Sequence, residues 1–300
     1  MKTVSAPLRI DLCGGALDIQ PIPSELGPTH IVSAAIDIRV TGSLDDHIGK
    51  GLDVLYILPP IVSSGSGLGS SGVMNLVWLA LISDETHPYV LADRVYNIEK
   101  AMNVVGGTQD QFTSAFGGLL ILTFIGKRVF VTKLTDSVEV LNELSKRLYL
   151  IDTGIRRTST DMSMQFIETY KRGENKSTIL QLNNLSKQLW SFLGSALGNI
   201  ESHGQEFDKT MVLMLNSEWK LRQLIYPENK VILNDIMNII RSNVDIPIGI
   251  KMLGAAGGGC MLLYAPLGTN LEALSNGVNE ANCDLIKIKI DPNGIIINGE

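Results

Sequence analysis

The 300-residue sequence is 45% hydrophobic and 19% charged, with 29 glycines. A chain of this length buries roughly three quarters of its extended surface on folding, so one or two domains with a large core are expected and a disordered, tail-like chain is excluded. With 25 basic against 31 acidic residues, the net charge of -6 argues against whole-surface attraction to nucleic acid or an anionic membrane. The three cysteines (Cys13, Cys260 and Cys283) have neither metal-ligand spacing nor the density of a disulfide scaffold. The N-terminus does not read as a signal peptide, and no apolar run is long enough to span a bilayer. These features lead to the expectation of a cytoplasmic protein without a membrane role.

In chain order, residues 3–12 and 30–41 read as strands, the second with Val32, Ala34, Ile36, Ile38 and Val40 on one period-two face. Residues 52–62 are strand-like but interrupted by Pro59 and Pro60. A serine-glycine stretch at 63–72 leads into an apolar helix ending near 82. Helices follow at 89–105 and from Thr108 or Gln109 to Gly117, then strands at 119–124 and 128–134. In the second half a strand at 147–154 precedes helices at 158–172, 176–202, 205–224 and 229–241. The 176–202 helix has a break expected near Gly194 or Gly198. Strands around 246–253 and 260–266 flank a glycine loop, and a helix at 268–281 and a strand at 284–290 close the pattern. Strands and helices do not strictly alternate, which predicts an α+β fold. A boundary is expected at 140–150.

Several segments carry chemistry. In Ser63-Ser-Gly-Ser-Gly-Leu-Gly-Ser-Ser71, Gly65, Gly67 and Gly69 let backbone amides approach a ligand. The helix that follows contributes unpaired N–H groups and a positive dipole end. Together they predict a phosphate cradle, with Ser70 and Ser71 as added hydroxyls. No Lys follows the last glycine, so the loop is not a Walker A motif, and two strands precede it, so it is not a Rossmann opening. The second loop, at 254–260, contains Gly257, Gly258 and Gly259; close approach to a ligand or loop and a tight hairpin both explain it. Asp110 stands at a helix start, where it either caps N–H groups or acts as a base for a hydroxyl. Glu99 is either an exposed helix residue or a Mg²⁺ ligand facing the phosphates. Arg9, in the apolar strand APLRIDL, either forms a structural ion pair or offsets charge on a transferring phosphoryl group.

Three of these segments, in order, resemble the motifs of the GHMP kinase superfamily: PLRIDLCGGALD at 7–18, SGSGLGSSG at 64–72 and KMLGAAGGGCML at 251–262. GGTQDQFTSAFGG at 106–118 and IDTGIRRTSTDM at 151–162 resemble its sugar-kinase branch, with heptose 7-phosphate kinase, fucose kinase and galactokinase. The resemblance implies a two-domain fold, with a ribosomal protein S5 domain 2-like N-terminal domain (1–145) that binds ATP and a ferredoxin-like C-terminal domain (146–300). It implies ATP phosphates on Gly65, Gly67, Leu68, Gly69, Ser70 and Ser71, and Mg²⁺ on Ser70 or Ser71 with Glu99. It also implies Asp110 and Arg9 at the reacting hydroxyl, Asp18 on sugar hydroxyls, and Gly257–Gly259 as a supporting loop. Its expected partner is a small sugar or sugar phosphate, with a homodimer left open.

The sequence departs from the family in three respects. GGALD stands where GGGTD is usual, and the span at 42–62 that precedes the phosphate loop is short. IRR replaces ISR, giving Arg156 beside Arg157, either a solvated basic pair or a bidentate hold on a substrate phosphate. The implied activity is transfer of the γ-phosphoryl group to a sugar hydroxyl, the anomeric one of a heptose 7-phosphate or a related sugar. A homoserine- or mevalonate-type kinase and a non-catalytic sugar- or nucleotide-binding protein stand as alternatives.

Overall fold

A computed structural model describes residues 2–44, 54–61, 65–155, 159–226, 230–255 and 258–298. The N-terminal half contributes β1 (Thr3–Cys13), α1 (Ile22–Leu26), β2 (Thr29–Leu44), β3 (Val54–Ile57), α2 (Ser70–Ile82), α3 (Pro88–Ala101), α4 (Gln109–Phe116), β4 (Leu119–Ile125), β5 (Arg128–Lys133) and α5 (Val138–Ser145). The C-terminal half contributes β6 (Leu148–Asp152), α6 (Ser159–Lys171), α7 (Lys176–Ala196), α8 (Gly204–Ile225), α9 (Lys230–Ser242), β7 (Gly249–Met252), β8 (Cys260–Tyr264), α10 (Leu271–Glu280), β9 (Asp284–Lys287) and β10 (Ile296–Asn298).

The first sheet runs β10-β1-β2-β4-β5, with β3 also paired to β2, and every pairing is antiparallel. From Ala6 to Cys13 every residue of β1 is buried, as are the first eight residues of β2. Continuous burial requires cover on both faces of a sheet. That cover comes from α2 and α4 and, across the molecule, from α7 and α8. The second sheet is antiparallel in the order β7-β8-β6-β9. The helices between β6 and β7 and the helix between β8 and β9 each return the chain to a strand two places away, across one intervening strand, which is the ferredoxin-like order.

Several expectations change in detail. Pro59 and Pro60 follow a strand of only four residues, Val54–Ile57. The helix expected at 176–202 ends at Ala196 and passes through a 3-10 turn at Leu197–Asn199. The strand expected at 284–290 stops at Lys287, and Ile290 makes only an isolated bridge to Ile36. The closing strand is β10, which pairs with β1 in the first sheet. Helix α5, also not foreseen, starts at Ser137, whose hydroxyl accepts the Val140 N–H.

Candidate active site

A cleft of about 250 Å³ opens between the first-motif turn after β1, the glycine loop before α2, the ends of α3 and α4, and the turn after β7. Gly67 and Gly69 have φ of +78° and +77°, in the left-handed region that favours glycine. Space demands glycine too: a Cβ on Gly69 would lie 2.9 Å from Asp110 Cγ, and one on Gly67 3.0 Å from the Leu253 carbonyl. Gly69 is the N-cap of α2 and no side chain caps that helix, so its first N–H groups are available to an anion. Ser70 and Ser71 line the same cleft, with Ser70 Oγ 3.1 Å from Ser66 Oγ. Leu68 does not line it; its side chain is in the core.

The second glycine loop braces the first. Cys260 N–H donates to the Ser66 carbonyl (2.8 Å), and Gly259 N–H to the Ile155 carbonyl (2.7 Å). A side chain on Gly259 would run into the Gly65 and Ser66 carbonyls, and one on Gly258 would meet Ile155. Close approach to the first glycine loop is therefore the physical reason for Gly259, and close approach to Ile155 that for Gly258. Gly257, Arg156, Arg157 and, in the short span before the loop, residues 45–53 and 62 lie outside the described residues.

Arg9 joins the loop to Asp110. The register of β1 against β2 shifts between Pro7 and Arg9, an irregularity of the kind that re-aims side chains near sites. The Arg9 N–H donates to the Leu68 carbonyl at 3.2 Å. Its Nη1 donates to the Gly67 carbonyl (2.5 Å), Nε to Asp110 Oδ1 (2.7 Å), and Nη2 lies 2.6 Å from the same oxygen. The Arg9 side chain is 6% exposed and that of Asp110 32%, so the carboxylate faces the cleft while the guanidinium backs it. The ion-pair and phosphoryl-side readings of Arg9 are thus compatible.

Asp18 is buried, and its Oδ2 accepts the Gln109 N–H at 2.8 Å. This carboxylate, not Asp110, serves the first turn of α4. Burial pushes its carboxyl up to about 6, Asp110 adds to the rise, and the Gln109 N–H opposes it. Gly107 must be small here, because any side chain would collide with the Asp18 carboxylate. Helix α4 is fastened to β2 through Ser33 Oγ, which receives Gln109 Nε2 (3.1 Å) and Thr113 Oγ1 (2.9 Å).

Glu99 is half-buried on the cleft wall rather than on an exposed helix face. Its Oε1 accepts from Asn75 Nδ2 (2.7 Å) and its Oε2 from Gln111 Nε2 (2.6 Å). Burial raises its carboxyl above the usual range and nearby Asp110 contributes, while the two amides pull the other way. The donor set fits Mg²⁺ held together with phosphates, which takes only one or two protein carboxylates: the Glu99 carboxylate and the Ser70 and Ser71 hydroxyls share the cleft.

Sequence reasoning missed Asn75 and Gln111 as partners of Glu99. It also missed a buried group of Asp11, Glu218, Arg222 and Lys251 behind the cleft. Lys251 carried a usable signal, a charge inside the apolar strand IPIGIKML. Glu218 and Arg222 lie four apart on α8, the spacing that surface ion pairs also have, which gives no signal of burial.

No family model matches the chain. Over 215 residues, 68% of its length, the chain is 30% identical to the D-glycero-alpha-D-manno-heptose 7-phosphate kinase of Campylobacter jejuni, a match spanning 58% of that protein. Over 255 residues it is 27% identical to the bifunctional fucokinase/GDP-fucose pyrophosphorylase of Arabidopsis thaliana, covering 79% of this chain and 22% of that one. The chain therefore spans less than two thirds of either relative. Among solved structures, a D-glycero-D-manno-heptose 1-phosphate kinase from Bacteriodes thetaiotaomicron superposes with a TM-score of 0.71 at 16% identity, covering 100% of this chain and 99% of that one. The chain has the fold of the GHMP kinases. The galactokinase of Lactococcus lactis, solved with galactose, matches this chain with a TM-score of 0.67 at 14% identity, over 98% of the chain and 94% of the galactokinase. At such identities the structural likeness carries the fold alone. Among the described residues, no helix is long and apolar enough to cross a membrane.

Proposed function

We propose that this chain is an ATP-dependent sugar kinase that transfers the γ-phosphoryl group to a sugar hydroxyl in the cleft around Asp110. The observation that carries the reading is the contact set of Arg9, which binds the Gly67 carbonyl and the Asp110 carboxylate together. A phosphate loop and a carboxylate facing a hydroxyl acceptor are thereby joined by one cation.

Phosphoryl transfer depends on in-line positioning and charge stabilisation. The amides of Gly67–Ser71 and the N-terminus of α2 hold the β- and γ-phosphates. Glu99, with Ser70 or Ser71, would hold Mg²⁺, which would offset phosphate charge. Asp110 orients the acceptor hydroxyl and takes its proton as the new O–P bond forms and the γ-phosphoryl bond to ADP breaks. Arg9 offsets the negative charge that develops beside it. Asp18 accepts hydrogen bonds from ring hydroxyls. In this reading residues 1–145 bind ATP, residues 146–300 complete the acceptor side, and the enzyme works in the cytoplasm.

For the acceptor we infer the anomeric hydroxyl of a heptose 7-phosphate or a closely related sugar phosphate, supported by the name of the Campylobacter jejuni relative. Arg156 and Arg157 are the candidates to grip its phosphate, contributing binding energy remote from the reacting hydroxyl. The test compares kcat/KM for heptose 7-phosphate with free heptose, fucose, galactose and mannose, in wild type and Arg157→Ala. The phosphorylated acceptor should win and its advantage should shrink in the variant. A free sugar reacting better overturns the phosphate anchor, and turnover of homoserine or mevalonate alone overturns the sugar.

A further inference from the structure

Behind the cleft lies a buried group of charges that the proposed chemistry does not use. Glu218 and Arg222 sit one turn apart on α8, beside Lys251 of β7 and Asp11 of β1. Lys251 Nζ donates to Asp11 Oδ2 (2.5 Å) and to the Asp11 carbonyl (2.8 Å), and lies 3.1 Å from Glu218 Oε1. Arg222 Nη1 is 3.8 Å from Asp11 Oδ2 and 3.7 Å from Glu218 Oε1. Two acids balance two bases, without which burial would be costly. Burial pushes the Glu218 carboxyl up despite both cations. Burial also acts to raise Asp11, but there Lys251, Arg222 and Arg9 together outweigh it and hold the carboxyl low.

Arg222 also reaches beyond this group. Its Nη1 donates to the Gly15 carbonyl at 3.0 Å and its Nη2 to the Gly254 carbonyl. Its Cζ lies 5.3 Å from the ring centroid of Tyr226. Gly15, Gly254 and Tyr226 all line the cleft. Gly15 begins a strained stretch, because Ala16 has φ of +78°, where a residue with a Cβ is disfavoured. That turn is closed by Leu17 N–H to the Gly14 carbonyl (3.0 Å) and Ile19 N–H to the Ala16 carbonyl (3.3 Å), and it delivers Asp18. Gly254, for its part, packs on Gly67 of the phosphate loop; a Cβ there would lie 2.8 Å from Gly67 Cα.

We propose that Arg222 is a positioning residue that clamps the Asp18 turn and the Gly254 turn to each other, keeping the acceptor and phosphate ends of the cleft in register. A planar guanidinium can serve two carbonyls at a fixed spacing, and a lysine ammonium cannot reproduce that fork. The role rests on the kinase reading for its kinetic consequence, though the clamp itself does not.

The test uses Arg222→Lys, Ala16→Gly and the double variant in the full chain. Acceptor KM and kcat, ADP affinity with Mg²⁺ by calorimetry, and amide exchange at Leu17 and Ile19 are measured for each. Arg222→Lys keeps the charge and should raise acceptor kcat/KM loss to about tenfold or more, with faster exchange at both amides. Glycine at position 16 removes the tendency to relax from the left-handed region, so the Arg222→Lys penalty should shrink at least about threefold in that background. If Arg222→Lys does not fold, Glu218→Gln with Arg222→Gln keeps the group neutral and enters the same assays. Unchanged amide exchange overturns the clamp whether or not the chain proves to be a kinase. A shift in Tm with unchanged KM, kcat and exchange reduces Arg222 to a structural ion and also overturns it.

Discussion

Asp18 and Asp110 share one cleft under different constraints. Asp110 is bound by Arg9 and opens to solvent, whereas Asp18 is 6% exposed and has the Gln109 N–H as its partner. Its carboxyl, moved by burial from 3.8 to about 6, fixes a sign. The folded protein holds the Asp18 proton more tightly than the unfolded chain, so stability contributed below about pH 4 is lost as pH rises to about 6. The upper bound is roughly 3 kcal/mol for a shift of about two units. Asp18→Asn should therefore be more stable than wild type at pH 7 by urea unfolding, with the gain vanishing near pH 4. A variant less stable at pH 7 would contradict this. Acceptor kcat/KM should also fall in wild type below about pH 6, and that limb should be missing in the variant. Arg9 and Asp110 were legible in the sequence because a charge in an apolar strand and an acid at a helix start are local signals. Asp18 was legible only through the family motif, and the Arg222 clamp not at all, since its carbonyl partners lie 207 and 32 residues away.

Three helices meet at Glu99. Asn75 comes from α2 and Gln111 from α4, the residue next to Asp110, while Glu99 lies near the end of α3. The carboxylate can accept from both amides, whereas a glutamine there must turn an NH₂ group toward one of them. Glu99→Gln should raise the Mg²⁺ needed for half-maximal ADP formation about tenfold or more, since second-partner geometry and charge are both lost. Titration of MgADP binding by calorimetry checks this without turnover, and an unchanged Mg²⁺ requirement would remove Glu99 from the metal site. The long helices and buried strands were readable from periodicity and glycine punctuation. Helices α1 and α5 are short, and β10 has three residues whose exposures alternate around one partly buried isoleucine. Segments of that size draw their structure from tertiary partners, which periodicity cannot register.

Across the whole molecule, the chain ends by returning to the sheet where it began. Asp291 N–H donates to the Ala35 carbonyl (3.0 Å), Ile295 N–H to the Ala115 carbonyl (3.1 Å), and β10 pairs with β1. Arg39 of β2 holds this segment through Asp291 Oδ2 (2.5 Å) and the Gly294 carbonyl (2.8 Å). The far end of α4, whose first turn carries Asp110, is thus braced by residues from the other end of the sequence. Both halves of the chain shape the cleft, with Ser163 of α6, Tyr226 just after α8 and the turn after β7 forming one wall and residues from β1, the turn after it, α2, α3 and α4 forming the rest. The central claim is that this shared cleft transfers phosphate through Asp110. The direct measurement is ADP release by wild type and Asp110→Asn with MgATP, with and without heptose 7-phosphate, alongside nucleotide affinity by calorimetry. The account predicts acceptor-dependent ADP release in wild type, and in the variant a kcat lower by about 10² to 10⁴ with nucleotide affinity retained. A variant with near wild-type kcat, or wild-type ADP release indifferent to every sugar supplied, would contradict it.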